Sequence, residues 1–268
     1  MVEQGYVVAR KVLLDAVEAL QDHNESLILV GSQAVYLRSP EFYQGVDAYT
    51  TDADLAIDPE LLGTDPELAS RLEAAGFSIE QNSGHWVNAM DIAVDIMVPE
   101  GVSSTPTKRS ARLDGHSPTA ARNARGLEPC MRLNTRMNIV ALDPQDTRTV
   151  SLKVANNEAL LVAKVIKVKE RIGHPKRELP KDASDVLRIL RQLDIVNAGA
   201  NLRQEAEHPE SSVVIDEALD FLLAQVADDY TPLMQLVVKG TSGVETEQIA
   251  TVSMKTLVAR IHEAYRSA

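Results

Sequence analysis

The sequence predicts an α+β protein: a mixed sheet flanked by helices over residues 1–155, followed by a helical C-terminal domain over 156–268. Three observations predict it. Up to about residue 155 the apolar residues fall in short runs punctuated by Gly, Pro and Asp, the pattern of strands and turns. From Asn156 onward they recur at helical spacing. Between Leu27 and Asp58 the chain reads as strand, tight Gly31-Ser32 turn, helix start, loop and second strand, an order that places a turn and two aspartates within reach of one sheet edge.

Taken in order, Val7, Val8, Val12, Leu13, Val17 and Leu20 have helical spacing and give a first amphipathic helix over Tyr6 to Leu20. Leu27 to Val30 is an unbroken apolar run, the first core strand. Ser39 to Tyr49 has Pro40, Gly45 and no period, so it reads as a loop that could cover a site. Thr51 to Ile57 is a second strand, ended by Asp58-Pro59. Asp65-Pro66 reads as cap and first residue of a helix running to Ala75 and stopped by Gly76, with Phe77 to Glu80 returning to strand. His85 to Val98 is one or two strands in which Asp91 and Asp95 lie opposite the β-branched positions. Residues 99–136 form a polar insertion rich in Ser, Thr, Pro, Gly and Arg, with a short helix expected around Thr119 to Arg125. Asn138 to Leu142 and Thr147 to Val154 are strands of a hairpin turned at Asp143-Pro144-Gln145-Asp146. Asn157 caps a helix that runs to Ile172 with Gly173 as its stop. A helix through Val186 to Leu190, and further helices over Ser211 to Val226 and Thr246 to Tyr265, complete the second domain, with Tyr230 to Gly243 open between helix and loop.

The composition, 44% apolar and 25% charged, is that of a globular chain, and no run approaches the roughly 18 apolar residues of a membrane span. The N-terminal pattern lacks the features of a signal peptide, and the lone Cys130 has no partner for an internal disulfide, so a cytoplasmic protein is expected. The net charge of −12 is unevenly spread. Residues 1–100 hold 4 basic and 18 acidic side chains, residues 101–181 hold 16 and 7, and residues 182–268 hold 7 and 14. A basic island between acidic ends can attract a polyanion locally. Its alternative reading is that the cations pair with the acidic thirds.

Chemistry concentrates at a few positions. Asp52 and Asp54 are two residues apart on a strand and share a face, where their mutual repulsion calls for a divalent cation. Either Asp91 or Asp95 could bring a third carboxylate, and Asp95, between Val94 and Ile96, has the stronger strand flanks. The Gly31-Ser32 turn opens a helix, where backbone N–H groups suit a phosphate. A cation and a phosphate side by side point to phosphoryl or nucleotidyl transfer. Lys164, Lys167 and Arg171 line one side of a helix, and Asp182 and Asp185 follow near the start of the next, where an Asp can also serve simply as a cap. Lys108, Arg109, Arg112, Arg122, Arg125, Arg132 and Arg136 make the insertion a candidate acceptor surface. With no Phe, Trp or Tyr in the insertion, contact there would be to an anionic backbone rather than by base stacking.

Gly31-Ser32 followed by Thr51-Asp52-Ala53-Asp54, with Lys164, Arg171 and Lys181-Asp182-x-x-Asp185 downstream, resembles the polymerase-beta-like nucleotidyltransferase superfamily and its AbiEii-type, toxin-like branch. The resemblance covers residues 27–58 and 158–190. It implies a nucleotidyltransferase-like core, Mg²⁺ held by Asp52, Asp54 and Asp95, and a nucleotide received by Gly31, Ser32, Lys164, Lys167 and Arg171. In this reading Asp95 also helps deprotonate the acceptor hydroxyl, and Asp182 and Asp185 complete the catalytic set. It further implies transfer of NMP from an NTP to an RNA acceptor, plausibly tRNA, as the toxin of a toxin–antitoxin pair whose antitoxin is encoded elsewhere. Two other readings compete: the same chemistry on a small hydroxylated molecule or a protein side chain, and a nucleotide-binding module without turnover.

Overall fold

The protein is described by a computed structural model covering residues 4–39, 50–80, 82–174 and 180–268. The loop expected from Ser39 to Tyr49 lies, beyond Ser39, outside the described residues. Among those described, nine helices surround one mixed sheet of eight strands. In chain order the elements are α1 (Gln4–Ala19), β1 (Leu27–Val30), α2 (Gly31–Arg38), β2 (Asp52–Ile57), α3 (Leu68–Ala74), β3 (Ser78–Ile79), β4 (His85–Val87), β5 (Ala93–Pro99), β6 (Arg122–Ala124), β7 (Asn134–Val140) and β8 (Thr149–Ala155). Six helices follow: α4 (Asn157–Arg171), α5 (Pro180–Gln192), α6 (Ile195–Glu205), α7 (Pro209–Gln225), α8 (Pro232–Thr241) and α9 (Glu247–Ser267).

The sheet order is β3-β4-β5-β2-β1-β8-β7, with β6 beside the C-terminal half of β5. The apolar run Leu27–Val30 is central and buried along its whole length, antiparallel to β2 and parallel to β8. The pair β2–β5 is parallel, and β7–β8 is the expected hairpin. Helix α1 packs over β2, β5 and β8, while α4 contacts α2 and the helices that follow. The change from strands to helices falls between Ala155 and Asn157, and one apolar cluster runs across it from Tyr6 to Tyr265.

Several local expectations are revised. Residues 122–124 form a strand rather than a helix, because Met97, Val98 and Pro99 of β5 offer an open edge to which they pair. The helix after Asp65-Pro66 begins only at Leu68, with Glu67 as its cap, its carboxylate accepting from the Ser70 N–H. Gly84 (φ +71°) lets the chain pass close to the Ile96 carbonyl and the Arg122 N–H, so that β4 and β6 share one edge of β5. Helix α6 was not anticipated; Asp194 caps it by accepting from the Asn197 N–H. The segment left open at Tyr230 to Gly243 contains α8, capped by Thr231.

Candidate active site

Strand register brings the carboxylates together. Val30, the last residue of β1, lies opposite Asp54, and Asp54 lies beside Asp95 in the parallel pair, while Asp52 lies beside Ala93. Because neighbours across a sheet share a face, Asp52, Asp54 and Asp95 project from one side. Asp91, the alternative third carboxylate, sits exposed in the turn between β4 and β5 with φ 62°, away from this row.

The turn expected at Gly31-Ser32 is there, with Gly31 at φ +69° as the first residue of α2. Its missing side chain is a spatial requirement, since a methyl group would overlap the Asp54 carboxylate. Gln33, one turn in, donates from Nε2 to the Asp52 carbonyl at 3.1 Å and ties the start of α2 to β2.

A cavity of about 370 Å³ opens over this face. On one side it is lined by Gly31, Asp54, His85 and Asp95, and on the other by Lys164, Lys167 and Arg171 of α4. Arg109, Arg122 and Arg125 of the insertion, and Glu100 and Glu170, also line it. Six of the ten residues singled out from the sequence thus line one space. Ser32, Asp52, Asp182 and Asp185 stand just behind its wall.

The electrostatics of the three carboxylates differ. Burial first, and the Asp52 charge second, push Asp54 up to about 6; Asp95 adds to the shift, while Lys167 and Lys164 oppose it. No hydrogen bond or ion pair holds the Asp54 carboxylate among the described residues. Asp52 accepts from the Thr50 hydroxyl at 2.7 Å. Burial would raise Asp95 as well, but the Arg122 guanidinium and His85 hold it below the usual carboxylate range. His85 donates from Nδ1 to Asp95 Oδ1 at 2.7 Å, and Arg122 donates to Oδ2 at 2.9 Å.

This decides how well the residues fit a magnesium ion. Asp52 and Asp54 fit: two adjacent, under-compensated carboxylates whose oxygens a hard dication prefers. Asp95 has both oxygens engaged, by His85 and by Arg122. His85 and Arg122 are the site residues whose roles the sequence did not disclose. Each reaches Asp95 only through the register of β4 and β6 on β5, which no local pattern encodes.

The opposite wall is organised by a buried ionic knot. Lys164, 3% exposed, donates to Asp182 at 3.0 Å, Asp185 at 2.9 Å and the Ser32 hydroxyl at 3.2 Å. Burial alone would lower its pKa, but Asp185 and Asp182 more than offset that and raise it. Asp182 also takes Arg171 at 2.9 Å and lies 3.6 Å from Lys167, and its carboxyl is held well below the usual range despite burial. Asp185 takes Arg188 at 3.1 Å. Lys181 donates to the same Ser32 hydroxyl at 3.2 Å and lies over the Tyr36 ring. Asp182 and Asp185 therefore position cations rather than face the cavity, which is more than the cap role an early-helix Asp plays by default.

The basic island resolves largely into ion pairs. Arg122 meets Asp95, Arg125 meets Glu217, Arg132 meets Glu205 and Glu210, and Arg136 meets Glu25. No helix among the described residues is long and apolar enough to cross a membrane. Compared with models of protein families and with curated proteins, the chain matches none.

Proposed function

We propose that the protein is a Mg²⁺-dependent nucleotidyltransferase that transfers NMP from an NTP to an RNA acceptor, with tRNA as the acceptor and growth inhibition, as the toxin of a toxin–antitoxin pair, as its biological setting. One observation carries the reading. Asp54, raised by burial and by Asp52 beside it on the same strand face, shares a single cavity with Lys164, Lys167 and Arg171 of α4 and with a glycine turn at a helix start. A carboxylate pair beside three cations that Asp182 and Asp185 partly neutralise suits a metal–triphosphate substrate.

In this reading Asp52 and Asp54 would hold Mg²⁺, which when bound supplies Lewis-acid stabilisation of the phosphoryl oxygens and of the leaving pyrophosphate. The backbone N–H groups at Gly31 and Ser32 receive phosphate oxygens at the positive end of α2. Lys167 and Arg171, at the cavity face of α4, neutralise the triphosphate. Lys164 adds a fixed charge, held in place by Asp182 and Asp185. Asp95, oriented by His85 and Arg122, keeps a negative charge beside Asp54 and raises the demand there for a cation.

The test is incubation with each α-labelled NTP, unfractionated tRNA and Mg²⁺. Label should pass to RNA with at least one NTP and be lost in Asp54→Ala and on chelation. No transfer, with wild type and Asp52→Ala alike, refutes the reading.

A further inference from the structure

Of the seven cations in residues 99–136, four are consumed by the ion pairs described above. Lys108, Arg109 and Arg112 are the remaining three. They are exposed, and among the described residues none of them makes an ion pair.

The three sit on one stitched loop. Asn123 of β6 donates from its side chain to the Thr105 and Lys108 carbonyls at 2.6 and 2.7 Å, and its backbone N–H donates to the Arg109 carbonyl at 2.8 Å. The Thr105 hydroxyl donates to the Ser110 carbonyl at 3.1 Å and accepts from the Arg112 N–H at 3.2 Å. Ser110 bridges to Arg122 and meets the Ser83 hydroxyl at 2.6 Å. The loop is thereby fixed to the strand that carries Arg122, and Arg109 lines the cavity itself. A path of positive charge runs from exposed surface to the edge of the carboxylate row.

We infer that the Lys108–Arg112 loop is the surface on which the phosphate backbone of an RNA acceptor lands, in a way indifferent to base sequence. The inference rests on the nucleotidyltransferase reading for its purpose but on separate observations for its location. Three reasons favour a nucleic-acid backbone. Unpaired cations on a net acidic protein select a polyanion locally. The loop carries no aromatic residue for stacking, so contact is through phosphates. Its backbone is already ordered by hydrogen bonds, so little entropy is lost on binding. Asp54, Asp95, Glu100 and Glu170 line the cavity that Arg109 reaches, so the phosphate contacts are assigned to the exposed loop rather than to the cavity.

The experiment measures binding of a short fluorescein-labelled single-stranded RNA, without NTP or Mg²⁺, across a salt series. Lys108→Ala/Arg109→Ala/Arg112→Ala is compared with Arg136→Ala/Arg148→Ala/Lys153→Ala, which removes the same charge from cations paired to Glu25, Asp15, Glu18 and Asp146. Circular dichroism checks that both fold. The loop variant should lose about 2 from the slope of log affinity against log salt, as three lost single-strand phosphate contacts imply, with affinity falling at least tenfold at low salt. The paired-cation variant should keep the wild-type slope. Equal slopes for loop variant and wild type, equal losses in both variants, or polyglutamate competing as well as RNA per charge would each overturn the assignment. Because binding is read without catalysis, an inactive protein whose RNA binding still depends on this loop refutes the enzyme and leaves the surface standing. An active enzyme with an indifferent loop does the reverse.

Discussion

Lys164→Met tests how far the ionic knot behind the cavity holds the molecule together. The substitution keeps most of the side-chain volume and removes a buried charge that donates to Asp182, Asp185 and Ser32 within 2.9–3.2 Å. Breaking a buried ion pair by deleting one partner costs about 3–5 kcal/mol, because the other charge is stranded in a poorly solvating interior. Here neither aspartate is stranded entirely: Asp182 keeps Arg171 and Asp185 keeps Arg188. The lower end, about 3 kcal/mol, is therefore expected. Urea unfolding followed through the single tryptophan, Trp86, which is buried in the core, measures it. The pH dependence has a definite sign. Asp182 has a folded pKa below its unfolded value of about 3.9, so its contribution is present above that value and lost as pH falls through the folded one. Lys164 has a folded pKa above its unfolded value of about 10.4, so its contribution is present below that and lost only as pH rises through the folded one. The stability difference between wild type and variant should be flat from about pH 5 to 9 and shrink on acidification below about pH 4. A loss under about 1 kcal/mol at pH 7, or a gap that does not narrow in acid, refutes the argument. Asp185→Asn supplies the second edge of a double-mutant cycle, where a coupling of at least about 1 kcal/mol with Lys164→Met is expected.

Two further outcomes follow from the other wall. Gly31→Ala should destabilise by more than Gly76→Ala: both glycines have positive φ and carry the left-handed penalty of about 1–2 kcal/mol, but only at position 31 does the methyl meet a carboxylate, while position 76 has nothing within 4 Å. Equal losses in urea unfolding would show that the contact with Asp54 does not matter. In chelator-treated buffer, Asp54→Asn should stabilise the protein by about 1–2 kcal/mol at pH 8, the roughly two-unit shift discounted for partial solvent screening. The sign is opposite to that of Asp182: with its folded pKa pushed up to about 6, Asp54 destabilises fully above that pH, and the penalty is relieved as pH falls from about 6 to 4. A variant no more stable than wild type at pH 8 contradicts the assigned electrostatics.

The strands and most of the helices were legible because their signal is local. Leu27–Val30 reads as a core strand from apolar continuity alone, and it lies buried inside the sheet between β2 and β8. The helical period after Asn156 gave α4, α7 and α9 to within a few residues, and the apolar middle of α5, which begins earlier, at Pro180. Where local signal was weak the reading failed. Asn197, Gly199 and Asn201 dilute the helical pattern of α6, and its helicity comes from packing against α9. Residues 122–124 have no strand pattern of their own and are strand because β5 has a free edge.

The sequence by itself determined the types and spacings of the site residues: a glycine turn, two same-face aspartates, a third carboxylate two strands on, and a cationic helix. It also contained the basic island, but not its fate. Only the tertiary structure decided that Asp95 is engaged by His85 and Arg122, that Lys164 is buried against Asp182 and Asp185, and that three insertion cations are left exposed without an ion pair among the described residues. The reason is physical. Periodicity is set by neighbours a few residues away, whereas the state of a charge is set by what packs against it, and the lysine that reaches Ser32 comes from 132 positions further along the chain.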